Sequence, residues 1–123
     1  MAVEAAAALD TSVVLWTAPG TAAYAGAGWF AAVLEAVRSA QPEARFEAVL
    51  DCDDLPGLVL AAFRIGVEAV CFTGSARMAT KLADIAAQQN RRLLRRRPLH
   101  ALDLRMSADP ADACRNWLSG DAL

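Results

Sequence analysis

Three short, unbroken apolar runs limit what this chain can fold into: Val13 to Trp16, Phe46 to Leu50 and Val67 to Phe72. A shorter fourth run begins at Arg92 and reaches about Leu94. Each has strand length, and the first three are bounded by turn residues such as Ala18-Pro19-Gly20 and Thr73-Gly74. An uninterrupted apolar strand is buried on both faces, which is the signature of a parallel sheet.

The segments between the runs have helical spacing. Trp29, Phe30, Val33, Leu34 and Val37 fall on one face, with Glu35 and Arg38 opposite, and Gln41-Pro42 ends that helix. Leu55 to Ile65 predicts a short, almost wholly apolar helix closed by Gly66. Ser75 predicts the cap of a further helix that buries Met78, Leu82, Ile85 and Ala86. Asp109-Pro110 opens a last one, with Cys114, Trp117 and Leu118 inward and Gly120 after it. Strands alternating with helices predict an α/β fold, a three-layer (αβα) domain with a mainly parallel sheet of four or five strands, flavodoxin-like or Rossmann-like. Residues 1–10 read as a tail or frayed helix, and 11–123 as a single domain.

The totals exclude several classes of function. At 123 residues the chain has the length of one domain that needs no disulfide or metal staple. Its net charge of −2 gives no electrostatic reason to expect nucleic acid or an acidic membrane. Cys52, Cys71 and Cys114 are an odd, widely spaced set without CxxC, so neither a disulfide framework nor a structural zinc is expected. The start carries Glu4 and Asp10 without a basic n-region, unlike a signal peptide, and no apolar run is long enough to span a bilayer. These features predict a cytoplasmic chain with no cofactor.

In parallel α/β folds ligands bind beyond the carboxyl ends of the strands. Three such ends can be named. The first is "VLDCDDLPG" (Val49 to Gly57), where three carboxylates occupy four positions. Asp53 or Asp54 is placed to cap the following helix, and Asp54 is expected to be the structural acid. Asp51 directly follows the strand and is the candidate base or metal ligand. The second is "FTGSARMATK", where Thr73, Gly74, Ser75 and Arg77 join hydroxyls, backbone N–H groups and a cation into a candidate anion site; an ordinary Ser cap is the plainer reading. The third is "GTAAYAGAGW", which reads as a flexible loop of small residues, with Gly20 at the shared edge. Neither GxGxxG nor GxxxxGK[ST] is present.

Five of the twelve basic residues lie between Arg91 and Arg97. Without interleaved aromatics, they read as a solvated strand edge or as partners for the nearby acids. His100, the sole histidine, follows a strand end and has no placed partner. The cysteines read as buried small hydrophobes, and the acids beside Cys52 make it a poor nucleophile.

Asp51, Thr73 and Arg97-Pro98 stand in the order in which a response-regulator receiver domain carries its phosphoacceptor aspartate, its Thr or Ser, and its Lys-Pro. Phe46 to Leu104 thus resembles the second half of such a domain. The resemblance implies a receiver-like fold. The acid pair expected after the first strand is missing, one strand–helix unit is absent, and Arg replaces Lys. "GVEAVCFTG" also resembles one unit of a (β/α)8 barrel.

The expectation is a small-ligand-binding or assembly module with an anion site at its strand ends, since no strand end carries a complete acid–base or nucleophile–base set. The alternatives are a small enzyme acting on a phosphorylated or carboxylated metabolite through Asp51, or a degenerate receiver-like domain. A homodimer is expected because Leu58 to Ile65 holds one charged residue, Arg64, and is apolar on nearly every side.

Overall fold

The computed structural model of the chain describes residues 12–98. In chain order the elements are β1 (Ser12–Trp16), α1 (Thr21–Tyr24), α2 (Ala27–Ala40), β2 (Arg45–Asp51), α3 (Pro56–Arg64), β3 (Ala69–Cys71), α4 (Ala76–Gln88) and β4 (Arg92–Leu94). The fold is α/β: the four strands form one all-parallel sheet with interleaved helices, consistent with a three-layer flavodoxin- or Rossmann-like domain. Strand order follows the chain, β1-β2-β3-β4.

The described residues fall into two compact units, and the first comprises Trp16–Glu35 and Ala48–Arg97. In it Leu50 pairs with Val70 and Asp51 with Cys71, while Cys71 pairs in turn with Leu94. Residues paired in register share a sheet face. One face therefore carries Val49, Asp51, Ala69, Cys71 and Leu94. Val49, Ala69 and Cys71 form a buried cluster against which Trp16 and Leu94 pack. Val70 and Leu50 point the other way and are fully buried too, so β3 and the end of β2 are covered on both sides. Helices α3 and α4 pack against each other, as right-handed crossovers between successive neighbouring strands require. Helix α3 buries Val59, Ala62 and Phe63, and α4 buries Ala79, Leu82 and Ala86.

The other unit holds described residues 12–15, 36–47 and 98. Within it Gln41 N–H donates to the Val37 carbonyl and Ala44 N–H to that of Gln41, which turns the chain out of α2 and into β2. The Arg38 guanidinium lies over the Phe46 ring at 5.3 Å.

Two local expectations need correction. The stretch after Gly20 is not wholly loop: Thr21–Tyr24 is a helical turn whose Thr21 and Ala22 are buried. Small side chains are what allow a turn to pack that closely. The N-cap of α3 is Leu55, and no side chain caps it. Neither Asp53 nor Asp54 takes that place, because Pro56 at the first helical position shifts the helix start past both acids. The expected cap at Ser75 is present: its Oγ accepts from Met78 N–H at 3.2 Å. Residues 1–10, His100, and the helix expected at 110–119 with Cys114, Trp117 and Leu118 lie outside the described residues.

Candidate functional site

The parallel sheet brings the ends of all four strands to one edge, and Asp51 joins them. It is the last residue of β2, and its side chain is only 3% exposed. Its Oδ1 accepts from Gly20 N–H at 3.0 Å and from Asp53 N–H at 2.9 Å. Its Oδ2 accepts from Arg97 Nη1 at 2.8 Å. The Asp51 backbone N–H donates to Thr17 Oγ1 at 2.9 Å. Thr17 N–H already donates to the Val49 carbonyl, so its hydroxyl takes the bond that the next ladder carbonyl of β1 would accept.

Each partner is placed by its own stretch of chain. Gly20 sits in the left-handed region at φ 73°, where a side chain would be strained, and this aims its N–H back at β2. Asp53 also has positive φ, 53°, a conformation that Asp tolerates better than most residues. Its carbonyl accepts from Thr73 N–H at 2.9 Å, tying the end of β2 to the end of β3. Phe72 N–H in turn donates to the Leu94 carbonyl, tying β3 to β4. Arg97 follows β4, and its guanidinium lies over the Trp16 ring at 5.2 Å from the centroid. The Arg97 side chain remains 30% exposed.

Asp51 therefore holds the edge together, and the expectation that Asp54 is the structural acid is reversed. The carboxylate is desolvated, so it is tolerated only because charge-assisted bonds replace its water. Asp53 and Asp54 are exposed. Among the described residues, no group of three or more His, Cys, Asp or Glu side chains could hold a metal ion.

The second candidate lies one strand away. Thr73, Ser75 and Arg77 are exposed around the start of α4. A helix start leaves N–H groups without intrahelical partners, and Ser75 takes that of Met78. Gly74 has a steric role: a Cβ there would come within 2.4 Å of Phe72 Cζ. Gly20 belongs to the same edge, but its N–H is given to Asp51. Arg95 and Arg96 are exposed beyond β4, an edge strand among the described residues, as the solvated-edge reading expects.

Compared with protein-family models, curated proteins and solved structures, the chain matches none of them.

Arg97 and Trp16 had weak sequence signals. Arg97 was legible as one of several arginines able to partner the acids and, beside Pro98, as the counterpart of the receiver's Lys-Pro, but neither signal gives its contact with Trp16. Trp16 reads as a strand terminus. Its place under the Arg97 guanidinium depends on contacts between residues far apart in the chain, which no local pattern encodes.

Cys52 and Cys71 are free, fully buried thiols. Burial, with the Asp51 charge adding to it, pushes the Cys52 pKa up to about 12 and that of Cys71 to about 11, from an ordinary value of 9.0. Unfolded, both thiols would lose protons near pH 9, while the folded chain keeps them. The unfolded state then binds fewer protons, so stability falls as pH rises above 9 toward the folded values. Urea midpoints measured from neutral pH to about pH 10.5 are expected to fall. The fall should be shallower in Cys52→Ala/Cys71→Ala; an equal fall would assign the loss to other groups.

Proposed function

We propose that the chain is a small-ligand-binding module that takes an anion, a phosphate or carboxylate group, at the carboxyl edge of its sheet. The observation that carries this reading is the Thr73-Gly74-Ser75 junction leading into α4, with Thr73 and Ser75 exposed, an exposed Arg77 in the first turn and the arginine-rich end of β4 on the neighbouring strand. Hydroxyls, helix-start N–H groups and a cation on one junction suit an oxyanion. A catalytic Asp51 is the weaker reading, because both of its oxygens are already engaged by donors.

The flavodoxin-like assignment has topological support. That fold orders its strands 2-1-3-4-5. The described strands correspond to 1, 3, 4 and 5, with the edge strand missing. The missing unit is the one absent from the receiver resemblance in sequence. The pairing of Asp51 with Arg97 also joins the acid and the cation on which that resemblance rests.

Phosphate, at ionic strength matched with chloride, is expected to raise the melting midpoint of the wild type and to raise it less in Arg77→Ala. An equal rise in both would remove Arg77 from the site and with it the reading.

Assembly is the second part of the proposal. Leu55, Leu60 and Ile65 are 43%, 39% and 48% exposed at and around α3, outside its buried stripe. This apolar surface supports a homodimer. Among the described residues no helix is long and apolar enough to cross a membrane, and the free thiols of Cys52 and Cys71 suit the reducing cytoplasm. Sedimentation equilibrium at micromolar concentration is expected to give twice the chain mass of 13.0 kDa. A monomer there would rule the dimer out.

A further inference from the structure

The groups around Asp51 make a complete carboxylate receptor. Two backbone N–H groups, from Gly20 and Asp53, converge on one oxygen, and the Arg97 guanidinium meets the other. Both residues are also tied through their carbonyls, which accept from Ala23 N–H at 3.0 Å for Gly20 and from Thr73 N–H at 2.9 Å for Asp53, bonds that do not involve the carboxylate. The guanidinium is steadied by the Trp16 ring. We infer that this cradle is an anion-binding site selective for carboxylate, filled in cis by the side chain of Asp51.

This has a consequence for the wild type. A tethered carboxylate has a far higher effective concentration than a free one. Free carboxylates are excluded between the ends of β1 and β2, and added ligand is confined to the β3 and β4 half of the edge.

Size-matched chemical rescue tests the inference. Replacing Asp51 by Ala removes the atoms of a formate ion, and replacing it by Gly removes those of acetate. Each variant should be stabilised by its own anion. At a concentration tenfold above the dissociation constant, the melting midpoint should rise by about 5 °C over a chloride control of equal ionic strength. Wild type and Asp51→Asn should not respond, since in both the cradle is filled. Formamide, neutral and of similar shape, should not rescue. Adding Arg97→Ala to Asp51→Ala should abolish the formate effect.

If Asp51→Ala does not fold in chloride, the readout becomes refolding yield, and recovery in formate supports the cradle. Failure to recover in formate, or an equal rise in wild type and variant, would overturn it. A failed phosphate response at Arg77 would leave this result untouched, so the two outcomes are separable.

Discussion

Asp51→Ala is expected to lose about 3–5 kcal/mol of unfolding free energy, the range for breaking a buried charge pair by removing one partner. The variant leaves three donors aimed at nothing: the N–H groups of Gly20 and Asp53 and the Arg97 guanidinium. Arg97→Ala should cost less, about 2–3 kcal/mol, for two reasons. The carboxylate would keep its two N–H bonds, and Arg97 is 30% exposed, so water screens part of the pair. Asp51→Asn should fall between wild type and Asp51→Ala, since an amide oxygen can accept at Oδ1 but offers Arg97 no charge. About a third to a half of the stability of a domain of this size is at stake, taking about 10 kcal/mol as its total. Equilibrium urea unfolding of the three variants gives the order directly. Asp54→Ala is the control: it caps no helix, and its loss should stay within about 0.5 kcal/mol, as for an ordinary surface change. An Asp54→Ala loss larger than that of Asp51→Ala would mean that the acids had been assigned the wrong way round.

The assignment of those acids shows what the sequence can and cannot carry. The strands, and the helices at 27–40, 56–64 and 76–88, were legible because apolar periodicity and turn residues are local signals. So was the Ser75 cap, which needs only a hydroxyl three residues before an N–H. Asp51 was legible as an acid ending a strand. Its role was not, because two of its three partners lie 31 and 46 residues away, and only the tertiary fold brings them together. The acids at 53 and 54 look like caps by pattern, yet a proline two residues on decides where the helix begins. The apolar face of α2 shows the same limit: Phe30 is buried while Trp29 and Val33 stay exposed. Spacing gives a stripe's direction, but packing decides its width. The ligand was the least legible, since exposed Thr, Ser and Arg serve as caps and solvated charge as readily as they bind an anion.

Gly74→Ala is the second substitution expected to act strongly, and its cause is steric. The ideal Cβ would lie 2.4 Å from Phe72 Cζ, closer than real side-chain carbons approach, and a tight 3.0 Å from both Cε atoms. Phe72 cannot easily give way, because it is 1% exposed and among the largest fully buried side chains. A well-packed interior resists a shift of this size, and overpacking of this kind typically costs about 1–3 kcal/mol. The strain falls on the junction that leads into α4, so the damage should reach the proposed anion site as well as the fold. Gly74→Ala should therefore lower the urea midpoint and weaken the phosphate response together. Removing the ring tests the steric cause. Phe72→Leu alone leaves a cavity and is destabilising, but in its presence the added methyl has room. The double variant Phe72→Leu/Gly74→Ala should be more stable than the sum of the single losses predicts, by at least about 0.5 kcal/mol of coupling. Strict additivity would show that the methyl and the ring never meet.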